Sequence, residues 1–298
     1  MFDTCQRLFY YRQMGRGMGS GLDDHARELF VLKRLTPFKD WCDGMVYSAL
    51  AAYLIGEWEP EKMVLAFQNN LEQQFMSSRE KSFLRPGAIR NLGIAEHYYD
   101  DRMDESDLEE AKKKLKDCLL AFGGTTFKKA YKDTKRSGRY AHVDDPDNPE
   151  MSRMTFQSRD LGNWVIQTRL DYVITVGSGI THIARWILDD PPADIDEKVF
   201  LPQHALNAMW AQDNINVPVE NLRVWRYFLP SKKQVGGQIT SDKLEELDNE
   251  LRKMARTLID FLGGESGEQL TENDFEGCGK KELCGNCQFR AVCPVKVW

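Results

Sequence analysis

The chain has 298 residues, of which 42% are hydrophobic and 29% are charged, and its formal net charge at pH 7 is -6. This length and composition predict a folded chain with a sizeable core, arranged as one large domain. The acidic net charge excludes a uniformly basic surface, so nucleic acid could be bound only by a local basic patch.

The first half of the chain is predicted to be mostly helical, with helices over 44–55, 60–75 and 107–120. Ten basic residues and only two acids lie between Lys112 and Arg139, with Tyr131 among them and Tyr140 directly after. Cations with aromatic neighbours are the residue types that bind phosphates and stack on bases, although a solvated helix face has the same composition. The candidate nucleic-acid-binding residues are Lys128, Lys129, Lys132, Lys135, Arg136 and Arg139.

The second half changes to the alternation of strands. Residues 163–176 have apolar side chains on one side and polar ones on the other, which predicts a strand. A turn at 177–179 leads to a second strand over 180–188, a helix over 204–212 and a third strand over 222–229. An amphipathic helix over 243–262 follows. These elements predict an α/β fold with a central mixed sheet flanked by helices.

Cysteines are concentrated near the end of the chain. Cys284, Cys287 and Cys293 have the spacing Cys-x2-Cys-x5-Cys, which is typical of ligands for zinc or for an iron-sulfur cluster. Two residues are candidates for the fourth ligand, namely the nearby Cys278 and the distant Cys5. Free or oxidised thiols are the simpler alternative.

The sequence also bears on location. No apolar run approaches the roughly 18 residues that cross a bilayer, and the N-terminal residues lack the apolar core of a secretion signal. Seven cysteines, an odd number, suit a reducing compartment better than a disulfide framework. We therefore expect a cytoplasmic protein without membrane contact, and the oligomeric state stays open.

The N-terminal run FDTCQRLFYYRQMG, taken with the C-terminal cysteines, resembles the iron-staple branch of the RecB-like PD-(D/E)XK nucleases. That branch includes the nuclease domain of the AddB helicase-nuclease subunit and the CRISPR-associated adaptation exonuclease. The resemblance implies a 4Fe-4S cluster held by Cys5, Cys284, Cys287 and Cys293, with Cys278 as a spare or substitute ligand. It also implies a single domain over 1–298, with a helical part (1–160), a restriction-endonuclease-like core (161–265) and a cysteine cluster (266–298).

The catalytic positions of that family match only in part. Asp171 occupies the position of the first metal-binding acid, whereas Arg185 and Ile187 replace the second acid and the lysine. Because Arg185 is a permanent cation, we expect it to pair with Asp171 and to repel magnesium. Tyr47 stands in place of a histidine. Gln203 is retained, but Asn207 replaces the tyrosine that follows it.

A second acid-lysine string, Asp196-Glu197-Lys198, lies near Asp194 in a segment without strand patterning. An exposed acidic loop explains it more simply than a catalytic site. His182 on the second predicted strand is expected to be a packed, hydrogen-bonded residue.

Three functions follow from these patterns. The first is an iron-sulfur protein that binds DNA, as ends or single strands, or a DNA-processing complex, without cutting. The second is an active exonuclease that uses magnesium or manganese held by Asp171. The third is a structural zinc protein without a nucleic-acid role.

Overall fold

The computed structural model describes residues 5–14, 24–85, 92–100, 103–144, 153–158, 162–193, 195, 202–262, 270–285 and 287–295. The chain divides into two compact units. The first unit contains Met1–Cys42, Asn69–Ala111 and Asp260–Trp298, and the second contains Asp43–Gln68 and Lys112–Ile259. Within the described ranges, no helix is both long enough and apolar enough to span a membrane.

The predicted helices are confirmed, with bounds extended by a few residues. The longer helices are α2 (Asp24–Lys33), α3 (Phe38–Ile55), α4 (Pro60–Arg79), α6 (Glu105–Gly123), α7 (Phe127–Arg136), α8 (Pro202–Ile215) and α9 (Ser241–Leu262). Short helices are α1 (Gln6–Phe9), α5 (Ala95–Tyr98) and α10 (Lys281–Gly285). The basic stretch therefore covers the end of α6 and the whole of α7.

A mixed five-stranded sheet organises the second unit. Its strands, in spatial order, are β3 (Ala141–His142), β6 (Tyr172–Thr175), β7 (Thr181–Ile187), β8 (Leu222–Phe228) and β9 (Lys233–Gln238). Neighbouring strands are antiparallel except β7 and β8, which are parallel and are connected through α8. The expected α/β architecture, a mixed sheet flanked by helices, is confirmed.

The single strand predicted over 163–176 is in fact two strands. The first part is β5 (Gly162–Gln167), which pairs with β4 (Arg153–Ser158) in a separate antiparallel hairpin, and the second part is β6. The alternation runs through both strands, so it cannot reveal the break at 168–171 that separates them. Because of this break, the candidate acid Asp171 lies immediately before β6 of the central sheet.

The two faces of the central sheet are covered differently. On one face, Ile183 and Val224 pack against Ala208 of α8 and Leu247 of α9. On the other face, Trp186 lies at the centre of an aromatic cluster, with ring centroids 4.7 Å from Phe127 and 4.9 Å from Phe122. Phe127 is half-buried and the other residues of both sets are almost fully buried, which fixes the register of β7.

The first unit has its own core. Strand β1 (Leu35–Thr36) pairs in parallel with β2 (Gly93–Ile94), and an apolar cluster beside them joins residues from both ends of the chain. Tyr11 stacks on Phe289 at 5.1 Å between ring centroids, and its hydroxyl donates a hydrogen bond to Glu272 at 2.5 Å. The N-terminal segment is thereby held against the C-terminal one.

Candidate functional site

Asp171 lies immediately before β6 and beside β7, with only 4% of its surface exposed. Its Oδ2 accepts a hydrogen bond from the backbone N–H of Trp186 at 2.8 Å. Its Oδ1 accepts one from Arg169 Nε at 2.5 Å, so both carboxylate oxygens have donors inside the protein. Each oxygen keeps a second lone pair, but the guanidinium of Arg169 already neutralises the carboxylate, so a metal ion here would bind beside a cation.

Arg169 also contacts Tyr47 of α3. The guanidinium carbon lies 3.3 Å from the centroid of the Tyr47 ring, and the Tyr47 hydroxyl donates a hydrogen bond to the Trp186 carbonyl at 3.2 Å. Burial, followed by the charge of Asp171, raises the pKa of Tyr47 to about 12. The structure thus brings Tyr47 and Asp171 to one locus, as the sequence predicts.

The predicted partner of Asp171 is different in the structure. The residue expected to pair with it is Arg185, but the ion pair is made by Arg169, two residues before the acid. Burial raises the pKa of Asp171, while Arg169, the Trp186 N–H and the charge of Arg185 act in the opposite direction. Arg185 is therefore close enough to influence the carboxylate electrostatically without being its ion-pair partner.

Helix α8 contributes the other predicted site residues. Gln203 is half-buried in its first turn, and the buried Asn207 accepts a hydrogen bond from Thr168 Oγ1 at 2.5 Å. Asn207 thereby ties α8 to the segment that precedes Asp171. His204, which sequence reasoning missed, is buried, and burial followed by the charge of Arg226 lowers its pKa to about 4.

The other predicted metal ligands do not assemble. Among the residues that the structure describes, no three histidine, cysteine or acidic side chains form a group able to hold a metal ion. Asp194 and the Asp196-Glu197-Lys198 string lie outside those residues. Ile187 is half-buried at the end of β7, where it offers no ligand. His182 receives a hydrogen bond from Trp225 Nε1 at 3.4 Å, and burial lowers its pKa, as fits a packed residue.

Five thiols line one cavity of about 530 Å³ in the first unit. They are Cys5, Cys278, Cys284, Cys287 and Cys293. Cys5 is also the N-terminal cap of α1, where its sulfur accepts a hydrogen bond from the Leu8 N–H at 3.4 Å. Both candidates for the fourth ligand, Cys5 and Cys278, therefore lie beside the other three cysteines.

The thiols differ in how easily they lose a proton. Burial raises the pKa of Cys284 to about 11 and also raises that of Cys287. Burial would raise the pKa of Cys278 too, but hydrogen bonds from the Lys280 N–H and from the thiols of Cys284 and Cys5 outweigh it, so its pKa is lowered. Cys278 is thus the readiest of these three to supply a thiolate.

The separation of Cys278 and Cys284 bears on the choice of metal. Their sulfurs are 3.7 Å apart, which matches two thiolates on one tetrahedral zinc, since Zn–S bonds of about 2.3 Å set them roughly 3.8 Å apart. A zinc site needs two further ligands at the same spacing, and a four-iron cluster likewise needs four thiolates. The described residues form no group of three or more such ligands, so the positions of the sulfurs favour neither.

The basic stretch is partly used within the protein. Lys132 pairs with Glu57 at 2.7 Å, and Lys128 donates a hydrogen bond to the Trp58 carbonyl at 2.9 Å while lying 4.0 Å from the centroid of the Tyr53 ring. The remaining candidates from this stretch are exposed to solvent, namely Lys129, Lys135, Arg136 and Arg139.

Sequence reasoning also missed two arginines that surround Asp171 and Arg185. Arg169 stands two positions before Asp171 in TRLDYV, and Arg226 lies in strand β8, whose residues other than Arg223 and Arg226 are apolar or aromatic. A cation among apolar residues of a strand was the available signal for Arg226, because burying it costs free energy unless a partner is present.

Comparison with known proteins gives one partial similarity. No family model matches the chain. A curated protein of Azotobacter vinelandii (strain DJ / ATCC BAA-1303), named "Putative pre-16S rRNA nuclease", is 32% identical over 94 residues. These residues make up 31% of this chain and 61% of that protein, so the chain spans less than two thirds of the relative that it matches.

Proposed function

We propose that the protein is a RecB-like, PD-(D/E)XK-type nuclease homologue that carries an iron-sulfur cluster, binds DNA and does not cleave it. The observation that carries the absence of cleavage is the engagement of both Asp171 oxygens, one by Arg169 and one by the Trp186 N–H. A hydrated magnesium ion generally needs more than one anionic oxygen from protein or phosphate. Beside Asp171, β7 offers Arg185 and Ile187 instead of an acid and a lysine.

The assignment to this type of core is supported by topology. An antiparallel pair, β6 and β7, is followed by α8 and by β8, which returns parallel to β7, with the candidate acid at the start of the pair. Many α/β domains share such an order of elements. The residues at the catalytic positions are therefore stronger evidence for the function than the order of the elements. The partial similarity to a protein named as a nuclease supports a nuclease-like protein in general and not this particular core.

The cluster is supported by the convergence of thiols from both chain ends on one cavity. Cys5 together with Cys284, Cys287 and Cys293 would supply the four thiolates that a 4Fe-4S cluster requires, and Cys278 would remain as a substitute. In this role the cluster is structural, since it would link Cys5 at the start of α1 to the segment that contains Cys284, Cys287 and Cys293.

The first prediction concerns cleavage. We expect the wild-type protein to bind single-stranded or blunt DNA but to leave it intact with either magnesium or manganese, because Asp171 is paired with Arg169 and β7 supplies no second acid. Asp171→Ala is the matched variant, and RNA of the same sequence is the second substrate. Metal-dependent cleavage by the wild type that disappears in Asp171→Ala would show an active exonuclease. Failure to bind either nucleic acid would instead favour a role within a protein complex.

The second prediction concerns α7. Charge reversal at Lys129, Lys135 and Arg136 should weaken DNA binding equally for all sequences and reduce the salt slope by about 1 for each lost phosphate contact. Reversal at Lys128 and Lys132 should instead lower the melting temperature, because these two residues contact Trp58 and Glu57. Fluorescence anisotropy at several salt concentrations and thermal melting distinguish the two effects. An unchanged salt slope in the first variant would remove α7 from the interface.

A further inference from the structure

Two arginines face each other across the parallel pair β7 and β8. Arg185 is the register partner of Arg226, and directly paired residues project from the same face of a sheet. Neighbouring strands lie about 4.8 Å apart, so the side chains of Arg185 and Arg226 are attached to adjacent positions of the sheet. Like charges directly opposite one another are destabilising in a sheet.

No described acid neutralises this pair. Asp171, which lies next to Arg185, is already bound by Arg169 and by the Trp186 N–H. The Nε atoms of Arg185 and Arg226 are buried, and neither has a hydrogen-bond partner within the described part of the chain. Burial, followed by the charge of Arg185, lowers the pKa of Arg226, so the two cations are close enough to repel each other.

Two described neighbours of the pair carry no negative charge. His204 at the start of α8 lies near Arg226, and its pKa of about 4 keeps it neutral at pH 7. The Phe228 ring lies 5.5 Å from the Arg226 guanidinium carbon. The described acids near the locus are engaged elsewhere: Asp171 is paired with Arg169, and Asp43, whose charge acts on Tyr47, is paired with Lys114. Among the described residues, positive charge therefore exceeds negative charge around Arg185 and Arg226.

We propose that Arg185 and Arg226 form a binding site for a phosphate group of a nucleic-acid strand. This inference rests on the proposed function and gives it a site, since it assigns the phosphate contact to cations of the sheet and not to a metal ion. A guanidinium can donate two parallel hydrogen bonds to phosphate oxygens. Two guanidinium groups held on rigid neighbouring strands can therefore bind the same phosphate group from two sides. The bound anion would also remove the repulsion between the two cations.

The test uses the full-length protein, a fluorescently labelled single-stranded oligodeoxynucleotide, and buffer with EDTA and no added metal. Arg185→Gln and Arg226→Gln should each weaken binding about tenfold and reduce the salt slope by about 1. Arg223→Gln is the matched control, because Arg223 lies on the same strand but projects from the opposite face, where it donates hydrogen bonds to backbone carbonyls. This control should bind like the wild type.

A second measurement is independent of DNA binding. Inorganic phosphate should raise the melting temperature of the wild type above that in chloride at equal ionic strength, and the Arg185→Gln/Arg226→Gln double variant should lose this rise. Arg185→Lys keeps the positive charge but lacks the paired N–H donors of the guanidinium, so it should retain part of the rise in melting temperature. These variants remove a repulsion and leave the core intact, so we expect them to fold.

The outcomes separate the two hypotheses. If the wild type binds DNA and the Arg185 and Arg226 variants bind as well as Arg223→Gln, the phosphate site is overturned while the proposed function stands. If phosphate stabilises the wild type through these arginines but DNA and RNA do not bind, the ligand is a free phosphate compound, and the nucleic-acid assignment is overturned. Loss of binding in these two variants alone supports the proposal.

Discussion

Replacement of Cys5 by serine should remove the iron and lower the melting temperature more than any other single substitution considered. Cys5 lines the same cavity as the C-terminal thiols, at the opposite end of the chain. A bridge between residues almost 290 positions apart removes much conformational entropy from the unfolded chain, worth about 4 kcal/mol or more. For a chain of this size that corresponds to a fall of roughly 10 °C.

The measurement combines iron and sulfide analysis, visible absorption after anaerobic purification, and thermal melting. Cys118→Ser is the matched control, because Cys118 is a buried cysteine in the other unit and does not line the cavity. It should keep its iron. Stoichiometric zinc without iron in the wild type would instead show the structural zinc site that the 3.7 Å pair of sulfurs resembles.

Cys278→Ser distinguishes the two candidate ligand sets. We expect this variant to keep its iron, because Cys5, Cys284, Cys287 and Cys293 remain. Iron lost from Cys278→Ser but kept by Cys5→Ser would reverse the assignment.

The elements that could be predicted from the sequence are those whose burial is periodic. Helices α3, α4 and α9 and strands β7 and β8 each carry their apolar residues at the spacing of their own structure. The sequence does not predict strand β9, because KQVGGQ contains two glycines, and glycine has a low propensity for strands. Gly236 has a φ of 123°, and a side chain there would collide with the Val224 carbonyl, so only glycine fits this edge.

The candidate site could be predicted only where the motif is local. Asp171, Tyr47 and the cysteines were singled out from their sequence context; the structure places Tyr47 near Asp171 and the cysteines around one cavity. The partner of Asp171 could not be deduced, because Arg169 and Arg185 are both near enough and the choice depends on the break between β5 and β6. The pairing of Arg185 with Arg226 depends on the register of β8, which no local pattern encodes.

Acid should destabilise the protein well above the pH at which carboxylates become protonated. Burial lowers the pKa of His97 and of His204 from 6.5 to about 4 in the folded protein. His97 Nδ1 lies 3.0 Å from Ser78 Oγ and its ring packs edge-on against Phe75, so the neutral form is the one that fits. The unfolded chain therefore binds more protons than the folded one between pH 4 and pH 6.5.

The free energy of unfolding should accordingly be constant above about pH 6.5 and fall as the pH is lowered to 4, by an amount on the order of 2 kcal/mol for each histidine. Asp171 has the opposite sign, because burial raises its pKa and protonation then favours the folded state. Urea denaturation at a series of pH values gives the slope. His97→Asn, which keeps a polar group near Ser78, and His204→Gln should each flatten the curve between pH 4 and 6.5, even where they reduce stability at pH 7. If the double variant has the same slope as the wild type, acid sensitivity arises elsewhere, and the two imidazoles are protonated in the folded protein as readily as in water.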